Sequence, residues 1–296
     1  MRVLVLGATG LLGTEVMKVL SERGLRPFGA ARSGADFKVD VTSPTQLFRL
    51  LCRVDADAVI NCAANVDLAA CEADPDMAYR VNTAPAGVLS AWSSQTDGRF
   101  IQVSTDHYFN EDGTLMHDEH AHVSLMNIYA ASKFAAEGMA RQAENALVVR
   151  TNICGAQKGF GRWVLDSLLN RAPMNLFTDY FTSTMHVRHC AEGLADLLVS
   201  DATGLVNLAS GEVSSKADFV RAVAEELGID PDWVRETTAG EMQPARAQSC
   251  GLDIRKVEEI LGRDMPTLKE TVSTLVSEDA RCAMRTTSPL ATAASA

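Results

Sequence analysis

The chain opens on a short apolar run, Arg2-Val-Leu-Val-Leu6. It passes without a break into Gly7-Ala-Thr-Gly10-Leu-Leu-Gly13, and then into a helical pattern with Leu12, Val16, Val19 and Leu20 on one face. The run has the length and composition of a buried parallel strand, and Gly24 marks the end of the helix. Each glycine has its own task in such a strand–turn–helix unit. Gly7 permits the tight turn, Gly10 lets backbone approach a pyrophosphate, and Gly13 lets the helix pack on the strand. The helix N-terminus then faces the phosphates. The spacing is Gly-x-x-Gly-x-x-Gly rather than Gly-x-Gly-x-x-Gly. The turn formed by Gly7, Thr9, Gly10, Leu11 and Leu12 is therefore the expected seat of a dinucleotide.

Strands and helices then alternate. The second strand is expected at Leu25–Ala31 and ends in Ala30-Ala31-Arg32-Ser33. NAD-preferring sites usually carry a carboxylate at this point to hold the ribose 2′-hydroxyl. The arginine and hydroxyl of Arg32 and Ser33 suit a 2′-phosphate instead, so NADP(H) is favoured over NAD(H); the alternative is that Arg32 is a solvated loop residue. Val39-Asp40-Val41 reads as a short third strand, with Asp40 placed to accept from an adenine amino group. Ser43-Pro44-Thr45-Gln46 starts a helix with a cap, a first-turn proline and a capping-box glutamine. Ala58–Ala63 is a fourth buried strand, and the small residues Cys62, Ala63 and Ala64, with Asn65, leave room for a cofactor across the strand ends. Asp74-Pro75 caps another helix, which Pro85 is expected to kink or interrupt near Asn82.

Phe100–Thr105 is the fifth strand. It delivers Ser104, Thr105 and Asp106 to its carboxyl end, where open α/β sheets bind ligands. Downstream, Tyr129-Ala-Ala-Ser-Lys133 begins a helix with Ala135, Ala136, Met139 and Ala140 continuing a small apolar face. Tyrosine and lysine four apart share one helix face. A phenol with an ordinary pKa near ~10 becomes a useful acid–base group only when its anion is stabilised, and an ammonium one turn away can do that. Ala146–Thr151 is a sixth strand, followed by Asn152-Ile153-Cys154-Gly155. The intervening segment 106–126 carries His107, His117, His120 and His122 with Asp118 and Glu119. Its spacing matches no zinc pattern, so it reads as a polar loop beside the site, and no metal is expected.

Beyond Gly155 the alternation loosens. Helices are expected near 162–171, 189–200, 214–228, 253–261 and 266–278, an extended piece at 174–179 and a strand at 204–209. The expected fold class is α/β, a doubly wound parallel sheet of Rossmann type with a smaller C-terminal substrate lobe. Residues 1–155 form the dinucleotide-binding domain, with 181–210 returning to it. Residues 156–180 and 211–282 form the lobe, and 283–296 read as a disordered low-complexity tail.

A net charge of −11, from 27 basic and 38 acidic side chains, argues against nucleic-acid and anionic-membrane partners. It leaves room for a small phosphorylated ligand bound by backbone N–H groups. The seven cysteines are odd in number and scattered, as in a protein kept reduced. No apolar run approaches the ~18 residues of a membrane span, and the expected location is the cytoplasm.

Taken in order, several motifs carry a resemblance. They are Gly7–Gly13, Asp40-Val41-Thr42, Val59-Ile-Asn-Cys-Ala-Ala64, Cys71-Glu72 with Pro75, Val81-Asn82, Val103-Ser-Thr-Asp106 and Tyr129-x-x-x-Lys133. Later come Val149-Arg-Thr151, His186-Val187 and Gly204–Ala209. Over residues 1–280 the chain resembles the extended short-chain dehydrogenases/reductases, and more narrowly the dTDP-4-dehydrorhamnose reductase group of nucleotide-sugar 4-ketoreductases. It departs from that group on the substrate side. Ile153 stands where a substrate-packing tryptophan is usual, Arg162-Trp163 replace an Asn-Phe pair, and His107 replaces a tyrosine. Val66-Asp67-Leu68-Ala69 replaces a Thr-x-Val-Asp run.

The resemblance implies NADPH-dependent reduction of a keto group on a nucleotide-linked sugar, a dTDP-4-keto-6-deoxy sugar in the group's own pattern. Tyr129 would be the proton donor, Lys133 would lower its pKa and hold the nicotinamide ribose, and Thr105 would hold the carbonyl oxygen. Cofactor contacts would come from Gly7, Thr9, Gly10, Leu11, Leu12, Arg32, Ser33, Asp40, Val41, Cys62, Ala63, Ala64, Asn65, Ser104, Tyr129 and Lys133. Substrate contacts would come from Thr105, Asp106, Ile153, Arg162, Trp163 and Arg246. A homodimer is compatible with this reading. The alternatives are a nucleotide-sugar epimerase with tightly held NAD, and a non-catalytic dinucleotide-binding regulatory subunit.

Overall fold

The computed structural model describes residues 1–109, 114–240 and 244–287, with side chains described as far as residue 280. The first half runs β1 (Arg2–Leu6), α1 (Leu11–Glu22), β2 (Arg26–Ala31), β3 (Phe37–Lys38), α2 (Pro44–Val54), β4 (Ala58–Asn61), α3 (Leu68–Ala73), α4 (Pro75–Asn82), α5 (Ala84–Thr96), β5 (Arg99–Val103), β6 (Met116–His117) and α6 (Ile128–Ala140). The second half runs β7 (Ala146–Arg150), β8 (Ile153–Cys154), α7 (Gly159–Leu169), β9 (Asn175–Phe177), β10 (Phe181–Thr182), β11 (Met185–His186), α8 (Val187–Val199), β12 (Gly204–Asn207), β13 (Ser214–Ser215), α9 (Lys216–Glu226), β14 (Arg235–Thr237), β15 (Ser249–Leu252), α10 (Arg255–Leu261) and α11 (Leu268–Thr287).

Seven parallel strands form the main sheet in the order β12-β7-β5-β4-β1-β2-β3. The chain moves outward on one side of β1 through β2 and β3, then crosses to the other side at β4. That reversal makes the β1/β4 junction the switch point where such sheets bind ligands. The strands are buried on both faces, and their residues alternate between two cores. Val3 and Val5 join Val16, Val19 and Leu194 on one side. Leu4 and Leu6 join Leu47, Leu51 and Leu89 on the other. Near-continuous apolar strands are what a sheet covered by helices on both faces requires.

A separate core holds the C-terminal lobe, with Val164, Leu165 and Leu168 of α7 against Phe219, Val220 and Val223 of α9 and Val272 and Leu275 of α11. A four-stranded sheet, β13-β10-β15-β6, lies between the lobe segments and the loop after β5. The strand at 204–207 pairs with β7 at the edge of the main sheet.

Several elements differ from the sequence expectation. The third strand is Phe37–Lys38, not Val39-Asp40-Val41. Val39 keeps one ladder bond, its N–H to the Ala31 carbonyl at 2.9 Å. Then Asp40 turns the chain by accepting the Thr42 N–H and hydroxyl at 3.0 and 2.8 Å. The interruption expected near Asn82 is present: α4 ends at Asn82, α5 starts at Ala84, and Pro85 sits in the first turn of α5, where its missing N–H costs nothing. Residues 68–73 form a short helix capped by Asp67 that the alternation did not suggest. In the tail expected at 283–296, the backbone as far as Thr287 continues α11, and 288–296 lie outside the described residues. None of the helices among the described residues is long and apolar enough to cross a membrane.

Candidate active site

The glycine turn is closed by backbone contacts that leave no room for side chains. Gly7 has φ +73°, and a Cβ there would lie 2.8 Å from the Ala63 nitrogen. A Cβ on Gly13 would lie 2.2 Å from the Gly7 carbonyl oxygen. The turn, α1 and the end of β4 therefore approach as closely as backbones can. Gly7 and Ala8 donate to the Ala30 carbonyl at 2.9 and 3.3 Å, which ties the turn to the end of β2. At the head of α1, Gly10 is the N-cap; no side chain caps the helix and its first turn holds no acid. The amides of Leu11 and Leu12 thus begin a helix whose positive end is free to meet an anion.

Arg32 and Ser33 follow β2 and are exposed. Arg32 acts electrostatically on Asp40, whose carboxyl is held below its usual range mainly by its hydrogen bonds from Thr42. One Asp40 oxygen is thus committed to the turn into α2. Val41 packs, partly buried, on the core beneath. Cys62, Ala63, Ala64 and Asn65 line the way out of β4 and are partly buried. Asn82 clamps that exit, accepting the Asn65 N–H at 2.7 Å and donating to the Asn65 carbonyl at 3.0 Å. The Asn82 amide also donates to the Ser132 hydroxyl on α6 at 2.9 Å. Asn82 thereby fixes the end of β4 against the helix that carries Tyr129, a tie between segments far apart in sequence.

Thr105, Tyr129 and Lys133 come together at the carboxyl end of β5, buried to 4%, 7% and 3% exposure. Asn127 caps α6, its side chain accepting the Ala130 N–H at 2.8 Å, so the first helical turn presents Tyr129. Burial pushes the phenol up to about 12, while hydrogen bonding from Thr105 pulls it down and the charge of Asp106 adds to the rise. Burial brings Lys133 down to about 8, with Glu137 one turn further along opposing that fall. The Lys133 ammonium donates to the Val103 carbonyl at 2.7 Å. The groups that act on the Tyr129 pKa here are burial, Thr105, Asp106 and Cys71, with Lys133 not among them. The amine bonds the Val103 carbonyl, and Thr105 is the group that favours the phenolate.

Ser104 also departs from its expected role. Its hydroxyl donates to Glu137 at 2.7 Å and meets the Tyr108 hydroxyl at 2.9 Å, on the buried side of the strand end. Arg150 completes this cluster with two bonds to Glu137, 3.0 and 2.8 Å, and lies over the Tyr108 ring at 4.9 Å. Glu137 and Arg150 are 1% and 3% exposed.

A chamber of about 370 Å³ adjoins the trio and separates it from the lobe. Of the expected substrate residues, Ile153, Trp163 and Arg246 line it, and His107, Asn152, Tyr180 and Lys216 join them, with ring faces from Phe160 and Phe177. Asp106 sits just behind, 1% exposed, accepting from Asn152 at 2.7 Å. Burial raises its carboxyl above the usual range against the pull of His107 and Lys216. The His107 ring meets Tyr129 edge-on at 5.7 Å, and its Nε2 lies 3.3 Å from the Tyr180 hydroxyl. Burial lowers the His107 pKa, so the ring is neutral.

Arg162 is not part of the chamber. Asp279 at 2.5 Å and Asp166 at 2.6 Å hold its guanidinium, tying α7 to α11. His117 packs flat on Phe109 at 4.2 Å, and among the described residues no three metal-ligating side chains converge. A larger groove of about 640 Å³ runs between α8 and α11, with few apolar side chains. The smaller chamber offers ring faces beside acid–base groups. Asn152, Tyr180 and Lys216 were not foreseen as site residues, and His107, expected on the substrate side, lines the chamber. Asn152 lies just past the end of β7, with Thr151 between, a strand-end placement that could have found it.

Fold and site together define a class: nicotinamide-dinucleotide oxidoreductases of the short-chain type, carrying a C-terminal lobe over the strand ends. Comparison with known proteins narrows it. The model of the RmlD substrate binding domain matches residues 1–281. A probable low-salt glycan biosynthesis reductase of Haloferax volcanii is 30% identical, over 92% of this chain and 96% of its own. A dTDP-4-dehydrorhamnose reductase of Burkholderia thailandensis is 31% identical, over 73% of this chain and 70% of its own. The dTDP-4-dehydrorhamnose reductase of Bacillus anthracis in complex with NADP has the same fold, with TM-score 0.83 at 21% identity over 94% of this chain and 99% of that one. The chain belongs to the RmlD substrate-binding-domain family of NAD(P)H-dependent oxidoreductases.

Proposed function

We propose that the protein reduces a keto group on a nucleotide-linked sugar, a dTDP-4-keto-6-deoxy sugar, with NADPH. One observation carries this reading: Thr105, Tyr129 and Lys133 lie buried together at a strand end, between an uncapped glycine turn and a chamber with aromatic walls. The turn fits a dinucleotide on its own evidence, since any Cβ at Gly7 or Gly13 would collide with backbone and no acid opposes an anion at the head of α1. Gly7, Thr9, Gly10, Leu11 and Leu12 would hold the diphosphate, Arg32 and Ser33 the 2′-phosphate. Asp40, Val41, Cys62, Ala63, Ala64 and Asn65 would border the adenosine and the crossing of the strand ends. When bound, NADPH supplies the hydride that reduces the ketone.

The protein's own part is binding, orientation and a proton. Thr105 holds the carbonyl oxygen, and Tyr129 hands its phenolic proton to the oxygen as negative charge develops there. A phenol raised to about 12 stays protonated throughout the neutral range, which suits the donor direction. Lys133, brought down to about 8, is still charged at neutral pH and would hold the nicotinamide ribose. Positioned acid–base groups of this kind contribute about 10²–10⁴ in rate, and orientation of the ketone supplies much of the rest. Trp163, Phe160 and Phe177 offer faces for the base, Arg246 a charge for the diphosphate, and Ile153 a smooth wall for the sugar.

The test is NADPH oxidation, followed by absorbance, with a dTDP-4-keto-6-deoxy sugar. Wild type turns over, and Tyr129→Phe loses at least about 10²-fold in kcat while binding NADPH as before. A Tyr129→Phe enzyme near the wild-type rate overturns the proposal.

A further inference from the structure

The segment 155–161 joins two parts of the site that the chain order keeps apart. It leaves β8, whose Ile153 lines the chamber, and runs into α7, whose Phe160 and Trp163 line it too. On the way it packs against the head of the cofactor turn. A Cβ on Gly155 would lie 2.9 Å from Cδ1 of Leu11 and 3.1 Å from Val187. A Cβ on Gly161 would lie 2.6 Å from the Gly155 carbonyl oxygen and 3.1 Å from Leu275 of α11. The segment is thus folded closely on itself, with the first residue of α1 on one side and the C-terminal helix on the other.

What fixes it there comes from α11. Glu278 accepts the Ala156 N–H at 3.0 Å and the Gln157 side-chain amide at 3.3 Å. The Ala156 carbonyl accepts from Arg162 at 3.2 Å, and the same guanidinium nitrogen donates to Asp279 at 2.5 Å. Ala156 is buried, and both its backbone groups depend on two adjacent carboxylates of a distant helix, one directly and one through Arg162. A hydrogen bond from His186, at 3.0 Å, holds Glu278 down at about 2, so its carboxylate stays charged across the working range. Hydrogen bonds to ionised groups are about twice as strong as neutral ones, which makes this a stiff attachment for a loop.

We propose that Arg162, Glu278 and Asp279 are positioning residues for the substrate. Through the 155–161 segment they set the wall of Ile153, Phe160 and Trp163 at a fixed place relative to the cofactor turn. The inference rests on the chamber taking a nucleotide sugar, as argued above. Loosening the attachment moves that wall and not the trio, because Thr105 follows β5 while Tyr129 and Lys133 stand on α6. A displacement of about 1 Å at a distance from the chemistry can cost about 10²-fold. Here the loss falls on binding of the sugar nucleotide.

The test is steady-state reduction of a dTDP-4-keto-6-deoxy sugar by wild type, Arg162→Met, Asp279→Asn and the double variant. Each single variant should raise the sugar KM by about 10–10²-fold with kcat unchanged, the pattern of lost uniform binding. The double variant should be no worse than the singles, since the two side chains act through one bond. Asp279→Glu, which keeps the charge, should return KM toward wild type. Where Asp279→Asn fails to fold, Arg162→Lys is read in its place, because it keeps the charge and loses the fork. A lower folded fraction would reduce kcat and leave KM alone, so that result overturns the inference, as does an unchanged KM. Hydrogen exchange separates this inference from the reading beneath it. Amides of 153–163 should exchange at least about 10-fold faster in Asp279→Asn, while those of β5 and α6 do not change. If wild type reduces no keto nucleotide sugar, the nucleotide-sugar reading fails, and the exchange contrast alone decides whether α11 sets the wall. Equal exchange in wild type and variant overturns the inference.

Discussion

Lys133 should make the folded protein less stable than it would be without it. The unfolded chain holds this ammonium with its ordinary pKa of 10.5, and the folded chain with about 8. Folding with the amine charged therefore costs about 3 kcal/mol, at 1.36 kcal/mol per pH unit. Replacing it by methionine removes that cost and one hydrogen bond, to the Val103 carbonyl, which is worth about 1 kcal/mol. The carbonyl is not orphaned, because the Gln102 amide also donates to it at 2.9 Å. Glu137 keeps Arg150 and Ser104. Lys133→Met should then be about 2 kcal/mol more stable at pH 7, a rise of about 4 °C in Tm for a chain of this size.

The gain has a pH signature. Between about 8 and 10.5 the unfolded state holds a proton the native state has released, so raising the pH stabilises wild type. The wild-type penalty is full below about 8 and gone above 10.5, and the variant's advantage must vanish over that window. Urea unfolding of both proteins at pH 7 and again near pH 10.5 measures it, and taking the difference cancels the other titrating groups. A variant no more stable at pH 7, or one whose advantage persists undiminished at the alkaline end, refutes the reasoning. The same variant should lose ketone reduction, which would make Lys133 a residue kept at a cost to stability.

Three further substitutions test neighbouring parts of the site. Glu137→Gln leaves the Arg150 guanidinium without its counter-charge, so unfolding stability should fall by about 3–5 kcal/mol; the alkaline limb of kcat/KM should move below about 8 as Lys133 loses the anion that supports it. Gly13→Ala places a methyl 2.2 Å from the Gly7 oxygen, so the turn must open; NADPH binding by fluorescence titration should be lost, and the urea midpoint should drop. Arg32→Ala should weaken NADPH by about 10–100-fold and leave NADH unchanged, and equal effects on both cofactors would return Arg32 to a solvated loop residue.

The cofactor half of the fold could be read from sequence because backbone carries it. Gly7 and Gly13 are glycine for contacts that no side chain survives, and strands covered on both faces must be continuously apolar. Where side chains compete for backbone, the reading slipped. Val39 is buried to 2% exposure and looks like strand, yet Asp40 takes the Thr42 amide and bends the chain before the ladder extends. Pro85 marked the break at Asn82, but nothing local shows that a second helix starts at once at Ala84. Arg162 beside Trp163 had the composition of a ligand contact, but its partner Asp279 lies on a helix more than a hundred residues away.

The chamber was the least legible part, for a reason that bears on its chemistry. Its polar residues, His107, Asn152, Tyr180, Lys216 and Arg246, come from five separate segments and meet only once the lobe has closed on the sheet. No spacing announces such a set. The trio is the opposite case, since four residues on a helix guarantee that Tyr129 and Lys133 share a face. Even so, spacing fixes where the two side chains start and not where the amine ends. The Lys133 amine bonds the Val103 carbonyl, and burial holds the phenol high, at about 12. A phenol that holds its proton until an alkoxide forms beside it is an acid waiting for a reduced ketone. A phenol protonated at neutral pH suits the donor half of the proposed reaction, and the same oxygen takes the proton back in reverse, so the direction of turnover belongs to the concentrations of cofactor and substrate rather than to the site.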